Sequence, residues 1–176
     1  VVCEGEDLFN GELRPEQYAK IVDHLITLPE VEIIACGKTS GWTLRDYDKD
    51  FHQLAAKYYH RLEHVENFFN VDDTFFKFAL NLPDARLHDT MNALQQKLGD
   101  IMVPVTSGHG SIDLIIPGLH KANGLRMLQQ RWGIEDNEVL AFGDGGNDTE
   151  MLCQAGFGFA MANAPDNIRA LTRYHA

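Results

Sequence analysis

The spacing of apolar residues changes along this chain and predicts alternating helices and strands. Between Pro15 and Pro29, apolar side chains recur at intervals of three and four, as in Tyr18, Ile21 and Leu25, which is typical of a helix with one buried face. The apolar run at 31–36 predicts a short strand. The same reasoning predicts further helices over 46–61 and 83–98 and further strands over 75–82 and 101–106.

A more regular alternation begins at residue 107. It predicts strands over 112–116, 138–142 and 156–161, separated by helices over 121–132, 148–155 and 165–171. Strands joined by helices of this length indicate right-handed crossovers and a parallel sheet, in which 112–116 and 138–142 could be neighbours. The fold class is therefore α/β: an α+β module over 1–106, followed over 107–176 by part of a doubly wound, parallel, Rossmann-like core.

Composition and charge limit the classes of partner. The hydrophobic content of 44% suits a packed core, and 15 basic against 26 acidic residues give a formal net charge of −11. This charge repels nucleic acids and anionic membranes, so we predict neither as a partner. An anionic ligand would need a local attraction from a metal ion, a lysine or a helix N-terminus.

The cysteines and the lengths of the apolar runs indicate the cellular compartment of the protein. Cys3, Cys36 and Cys153 are few and widely spaced, which argues against a disulfide framework or a cysteine zinc site. No run of 18 apolar residues is present, and no secretory leader is recognisable. These features predict a cytoplasmic protein. Because the sequence begins at Val1, it could be a processed protein or a piece of a longer one.

The most informative stretch is FGDGGNDTEM at 142–151, directly after a predicted strand. Ligands of parallel sheets gather at the carboxyl ends of the strands, where Asp144 could supply a hard oxygen to Mg²⁺. Two glycines after it would let the backbone turn tightly and approach an oxyanion. Asn147 offers an amide donor, and Asp148 is either a member of this site or only the N-cap of the next helix.

Lys121 stands at or near the start of the predicted helix 121–132. A cation there opposes the helix dipole, so its position suggests a function, although an ordinary surface lysine remains the alternative. If the two neighbouring strands are parallel, Lys121 and Asp144 lie at the same sheet edge. Enzymes that transfer phosphoryl groups typically combine a lysine that binds the phosphate with a Mg²⁺ held by carboxylates.

Other chemical patterns in the chain are weaker. The G-K-T at 37–39 lacks the first glycine of a P-loop, because Glu32 stands at that position. Asp46 and Asp48 have the spacing of a D-x-D motif but lead into a polar helix, where acidic residues are typical of the first turn. His109 lies between two glycines and either meets a ligand or belongs to a simple hinge. His52, His60 and His64 lie on a predicted helix, but no carboxylate pattern accompanies them, so they do not predict a metal site.

Residues 143–148, with Met151, resemble the G-D-x-x-N-D motif of the haloacid dehalogenase-like hydrolases. Residues 118–122 resemble the lysine motif of the same superfamily. The stretches 76–83 and 104–117 are similar to its Cof-type branch, which includes bacterial sugar-phosphate phosphatases. The resemblance runs through nearly the whole chain.

The resemblance implies a Mg²⁺-dependent phosphatase that hydrolyses small phosphorylated metabolites, such as sugar phosphates, through an aspartyl-phosphate. Lys121 would contact the nucleophile and the phosphate, and Asp144 would bind Mg²⁺. Asp148 would hold the metal or its water, and Asn147 would help place the phosphate. Residues 1–106 would form a cap that selects the leaving group, with the loop 37–42 facing the substrate.

The family's nucleophile motif, D-x-D-G-T after an apolar strand, does not occur in this sequence. The resemblance therefore implies an incomplete chain that is inactive alone. Two alternatives remain open: a non-catalytic pseudo-enzyme that binds Mg²⁺ or a phosphorylated ligand for regulation, and a phosphomutase built on the same core.

Overall fold

The computed structural model describes residues 2–8, 11–108 and 110–176. His109, one of the ligand candidates, lies outside the described residues. The chain divides into two compact units. The larger unit comprises 11–104 and 109–116, and the smaller unit comprises 1–10, 105–108 and 117–176.

The helices and strands alternate along most of the chain. The strands are β1 (Val2–Cys3), β2 (Glu6–Asp7), β3 (Glu32–Gly37), β4 (Gly41–Leu44), β5 (Leu62–Val65), β6 (Phe75–Asn81), β7 (Val103–Gly108), β8 (Ser111–Ile115), β9 (Leu140–Gly143), β10 (Phe157–Ala160) and β11 (Tyr174–His175). The helices are α1 (Pro15–Leu25), α2 (Lys49–Tyr58), α3 (Leu87–Leu98), α4 (Lys121–Trp132), α5 (Thr149–Gln154) and α6 (Asp166–Arg169).

A six-stranded sheet in the order β5-β4-β3-β6-β8-β7 organises the larger unit. β3 is antiparallel to β4 and β6, β6 is antiparallel to β8, and β4 is parallel to β5. Because side chains alternate between the faces of a strand, Ile33 and Ile34 enter different clusters. One face packs against α1 and α3, and the other packs against Phe51 and Ala55 of α2.

The strand predicted at 112–116 forms, as β8, but its predicted place in the parallel core is wrong. β8 lies in the six-stranded sheet, with Ile112 opposite Leu80 and Leu114 opposite Phe78 in an antiparallel pair. Its buried positions alternate with partly exposed ones, as expected for an antiparallel strand with one buried face. The parallel partner of β9 is β10 instead.

The smaller unit contains a parallel three-stranded sheet in the order β11-β10-β9. Ala141 of β9 packs with Val139 and Ala155, against which Leu125 of α4 is also placed. Leu152 of α5 packs with Ala160 and Ile168. Parallel strands with packed helices confirm the α/β fold class, and α4 has the predicted bounds.

Three further differences from the sequence prediction concern element bounds and the division of the chain. The helix predicted at 46–61 is shorter, because the chain leaves α2 after Tyr58 and enters β5. β4, β5 and β11, which are two to four residues long, were not predicted. The compact units divide the chain at several points rather than at 106 and 107, because β8 groups with the larger unit.

No helix in the described part of the chain is long and apolar enough to cross a membrane.

Candidate functional site

The predicted site residues of the smaller unit lie on two structural elements. Asp144 directly follows β9, and the chain then makes a short 3-10 turn over Gly146–Asp148 before α5. Lys121 is the first residue of α4. The structure joins these elements through an ion pair between Lys121 Nζ and Asp148 Oδ1.

Asp148 is the central acceptor of this site. Its side chain is only 5% exposed, and Oδ2 accepts hydrogen bonds from the backbone N–H of Asp144 at 3.0 Å and of Gly145 at 3.1 Å. The carboxylate therefore closes the turn on one side and holds Lys121 on the other. Asp148 occupies the N-cap position of α5, but its side chain makes no capping hydrogen bond to that helix and accepts from the turn before it instead.

Opposing effects act on the pKa of Asp148. Burial raises the pKa, because a charged carboxylate loses its hydration. The hydrogen bond from Lys121 and those from the backbone amides of Gly145 and Asp144 favour the carboxylate and outweigh burial. The pKa is thus lowered from 3.8, and Asp148 remains a negatively charged partner for Lys121 at neutral pH.

Lys121 combines an ion pair with a partly exposed side chain. Its side chain is 51% exposed although its ammonium group pairs with buried Asp148. An ammonium group carries three donor hydrogens, so one ion pair leaves donors for an anionic ligand. Lys121 is thus an exposed lysine whose ammonium group is paired with a buried carboxylate, which favours the functional interpretation over an ordinary surface lysine.

Asp144 has a partner that the sequence analysis did not identify. Asn163 Nδ2 donates a hydrogen bond of 2.6 Å to Asp144 Oδ2. Asn163 lies just after β10, the strand parallel to and paired with β9, so both residues follow carboxyl ends of neighbouring strands. The sequence signal was a polar residue within the Ala-Asn-Ala-Pro stretch after a predicted strand.

Two glycines, Gly143 at the end of β9 and Gly145 in the turn, stand where a larger residue would collide with neighbouring side chains. A Cβ on Gly143 would lie 2.5 Å from Asp148 Cβ and 2.7 Å from Asp148 Cγ. A Cβ on Gly145 would lie 2.8 Å from Asn147 Oδ1, which places the Asn147 side chain against this turn. The Gly145 N–H, expected to approach a ligand oxyanion, donates to Asp148 instead.

The Asp144 carboxylate could bind Mg²⁺ as the single carboxylate ligand that this site supplies. Asp144 is exposed, and one oxygen that accepts from Asn163 leaves further lone pairs on the carboxylate. Mg²⁺ sites in proteins use one or two carboxylates, and water or substrate phosphate completes the coordination. No group of three or more His, Cys, Asp or Glu residues that could hold a metal occurs in the described part of the chain.

In the larger unit, the loop predicted to face substrate is tied to Asp73. Asp73 Oδ2 accepts hydrogen bonds from Trp42 Nε1 at 2.8 Å and from Thr39 Oγ1 at 2.7 Å. The backbone N–H groups of Thr39 and Thr74 also donate to this carboxylate. Partial burial raises the pKa of Asp73, but these hydrogen bonds outweigh it and lower the pKa from 3.8.

We expect Asp73→Asn to destabilise the larger unit at neutral pH by about 1 kcal/mol. This is less than the loss of several hydrogen bonds to a buried carboxylate would cost, because solvent screens a partly exposed site. Since the pKa is lower in the folded state, the stabilisation is present above 3.8 and disappears as the pH falls through the folded pKa. The free energies of unfolding of the variant and the parent chain, measured with urea, should therefore become equal in acid. Asp72→Asn, at the exposed neighbouring position, is the control. A difference that is constant with pH would contradict this account.

The weaker patterns have structural explanations. Asp48 caps α2 by accepting a hydrogen bond from the backbone N–H of Asp50 at 2.7 Å, in agreement with the helix interpretation. His52 Nδ1 and His64 Nε2 approach to 3.1 Å, a pairing that the helical spacing did not predict. These are two nitrogen donors only, and they belong to no larger metal-binding group among the described residues.

Comparison with known proteins identifies the family. Residues 2–175 match the family described as haloacid dehalogenase-like hydrolase. The chain belongs to this family. The match confirms the resemblance to this superfamily that the aspartate and lysine motifs carry.

Similar family members are longer than this chain. An Escherichia coli protein named 5-amino-6-(5-phospho-D-ribitylamino)uracil phosphatase YbjI is 60% identical over 176 residues, which are 100% of this chain and 65% of that protein. A Bacillus subtilis phosphatase named for the same compound, YitU, is 40% identical over 60 residues, covering 34% of this chain and 22% of its own length. A crystal structure from Streptococcus mutans has 32% identity and a TM-score of 0.92, covering 99% of this chain and 66% of that one.

The chain thus spans about two thirds of the length of the E. coli and S. mutans relatives. Both relatives match this chain over nearly all its residues, so the likeness includes both compact units. The roles of Lys121, Asp144, Asn147 and Asp148 remain predictions at this point, and so does the division into cap and core.

Proposed function

We propose that this chain provides part of the active site of a Mg²⁺-dependent phosphatase for small phosphorylated metabolites. The observation that carries the proposal is the Lys121–Asp148 ion pair beside Asp144 at the carboxyl end of β9. A fixed cation and an exposed carboxylate at this sheet edge are suited to binding a phosphate and its metal ion.

Each residue has a proposed role. Lys121 binds a phosphate oxygen through donors that the ion pair leaves free, while Asp148 fixes the ammonium group and braces the turn. Asp144 holds the metal, and Asn163 orients its carboxylate. Asn147 stabilises the turn around Gly145 and places the phosphate. When bound, Mg²⁺ would neutralise charge on the phosphoryl oxygens.

The three contacts made by Asp148 favour an indirect role at the metal. One carboxylate has about four lone-pair sites, and three are taken up by Lys121 and the two backbone amides. We therefore infer that Asp148 holds a water of the metal, which is one of the two options implied by the family resemblance, and that it also positions the backbone of Asp144.

The covalent chemistry needs an aspartate from outside these 176 residues. Its carboxylate oxygen would attack phosphorus, the bond from phosphorus to the leaving oxygen would break, and that oxygen would take up a proton. Water would then attack the aspartyl-phosphate, releasing inorganic phosphate and restoring the carboxylate. The larger unit would act as a cap that selects the leaving group in a cytoplasmic enzyme.

The names of two relatives point to a substrate. Both the E. coli and the B. subtilis phosphatases are named for 5-amino-6-(5-phospho-D-ribitylamino)uracil. Its phosphate sits on a ribityl chain, so it belongs with the phosphorylated sugar derivatives expected from the sequence. The identity of 60% over the whole of this chain makes this compound the first substrate to test.

The test compares this chain with an extended protein, in which the residues of the E. coli relative outside the match are joined to this chain in their native order. Phosphate release from the ribitylaminouracil phosphate and from simple sugar phosphates is measured with Mg²⁺ and with EDTA. We expect turnover only by the extended protein and only with Mg²⁺. The E. coli relative, assayed in parallel, is the positive control.

The outcomes separate the competing functions. Turnover by the 176-residue chain alone would contradict the account of the nucleophile. An inactive extended protein that still binds Mg²⁺ or phosphate would favour the regulatory pseudo-enzyme, provided that the E. coli control is active. Transfer of the phosphoryl group to a second position of the sugar, without phosphate release, would favour the phosphomutase.

A further inference from the structure

Two histidines of the larger unit meet at the junction of α2 and β5. His52 Nδ1 and His64 Nε2 are 3.1 Å apart, and the centroids of the two rings are 4.5 Å apart. His52 lies on α2, whose Phe51 and Ala55 are buried in a cluster with the sheet, and His64 lies in β5, opposite Thr43 of β4. The packing of α2 therefore brings together two imidazole nitrogens whose residues are 12 positions apart in the sequence.

The separation of these nitrogens suits a metal ion that takes its ligands at right angles. Two nitrogens that each lie about 2.1 Å from one metal ion are about 3.0 Å apart at a right angle and about 3.4 Å apart at a tetrahedral angle. The observed 3.1 Å is nearer to the first value. Right-angle coordination by nitrogen and oxygen is typical of Cu²⁺ and Ni²⁺, whereas structural Zn²⁺ sites are tetrahedral.

We propose that His52 and His64 form a binding site for a divalent transition-metal ion of the Cu²⁺ and Ni²⁺ type. The protein ligands are Nδ1 of His52 and Nε2 of His64. Water completes the coordination, because no third His, Cys, Asp or Glu joins the pair among the described residues. His64 is exposed, so rotation of its ring can direct both lone pairs at the ion. A bound ion would link α2 to β5.

The surroundings of the pair are suited to a cation. Arg45 Nη2 donates to the carbonyl oxygen of His64 at 3.3 Å, but Nη1 of the same guanidinium is 3.2 Å from Glu66 Oε1. This ion pair offsets the charge of the arginine, and the neighbouring Glu63 and the formal net charge of −11 attract cations.

The two metal sites proposed for this chain differ in the ions they prefer. Mg²⁺ takes oxygen ligands, as at Asp144, whereas imidazole nitrogens select transition metals. Binding at the histidine pair is therefore independent of the phosphatase reaction.

The affinity of the histidine pair should be moderate. One ring donates to the other in the pair, and on metal binding it must move that proton to its other nitrogen, which leaves both imidazoles neutral. In His52 this other nitrogen, Nε2, is buried and has no hydrogen-bond partner. It thus lacks the outer hydrogen bond that orients most histidine ligands and strengthens their binding. We expect a dissociation constant in the micromolar range.

The experiment titrates the 176-residue chain with Ni²⁺, and with Mg²⁺ for comparison, by isothermal titration calorimetry and thermal unfolding. We expect Ni²⁺ to raise the temperature of half-unfolding, because only the folded chain holds both rings together, and Mg²⁺ not to do so through this pair. Cu²⁺ should give an electron paramagnetic resonance spectrum with two nitrogen ligands. His52→Gln and His64→Gln, tested separately, should each weaken Ni²⁺ binding at least tenfold, because one of two protein ligands is lost.

His60→Gln is the matched control, because His60 is an exposed histidine that lies between the other two in the sequence. It should leave the Ni²⁺ affinity and the thermal stabilisation unchanged, and circular dichroism should show that every variant is folded. Loss of the stabilisation in both pair variants but not in His60→Gln would support the proposal. Equal Ni²⁺ affinity of the parent chain and His64→Gln would overturn it, as would a Cu²⁺ spectrum with a single nitrogen ligand.

Discussion

Asp144→Asn in the extended protein is expected to reduce kcat/KM at least a hundredfold and to raise the Mg²⁺ concentration needed for half-maximal activity. The amide keeps the size of the side chain and one oxygen that can accept from Asn163, but it removes the negative charge proposed to hold the metal. Stability should change little because Asp144 is exposed. Steady-state kinetics over a Mg²⁺ titration, with thermal unfolding in EDTA, measure both quantities.

Asp166→Asn is the control for this substitution. Asp166 is an exposed aspartate in the first turn of α6 and has no proposed role in the site. Its replacement changes the net charge by the same amount, so activity should remain within about twofold of the parent. If Asp144→Asn retained full activity at limiting Mg²⁺, Asp144 would not be a metal ligand.

Gly143→Ala is expected to disrupt the site through its structure. The new methyl group would lie 2.5 Å from Asp148 Cβ, an atom held close to the backbone that cannot move away as a side-chain end could. Asp148 would have to shift, which would break its bonds to Lys121 and to the backbone amides of Asp144 and Gly145. We expect a loss of about 3 kcal/mol in the free energy of unfolding.

Chemical denaturation measures this loss in the 176-residue chain, and a phosphatase assay of the extended protein should show no turnover. Gly133→Ala separates steric conflict from backbone strain. Gly133 has φ of +66° at the end of α4, and a Cβ there would meet nothing within 4 Å. It should cost about 1 kcal/mol and leave the site intact. Similar losses for both variants would show that Asp148 is not tightly packed against Gly143.

The sequence determined the local elements and the types of residue in the site. The bounds of α4 follow from its apolar spacing and from Gly133, which ends the helix in a left-handed conformation. The position of Asp144 after β9 follows from one short apolar run and the glycines beyond it. Such features depend on neighbouring residues, so a single sequence contains the information needed to predict them.

The tertiary structure decided which distant residues meet. Asp148 has the local signature of a helix cap, yet it binds Lys121, 27 residues earlier in the chain. Asn163 reaches Asp144 because β10 pairs with β9, and β8 joins β6 although its pattern permits either sheet. Local periodicity specifies which face of a strand is apolar, but it does not specify the partner strand. That choice depends on the packing of whole sheets against their helices, which involves residues far apart in the chain.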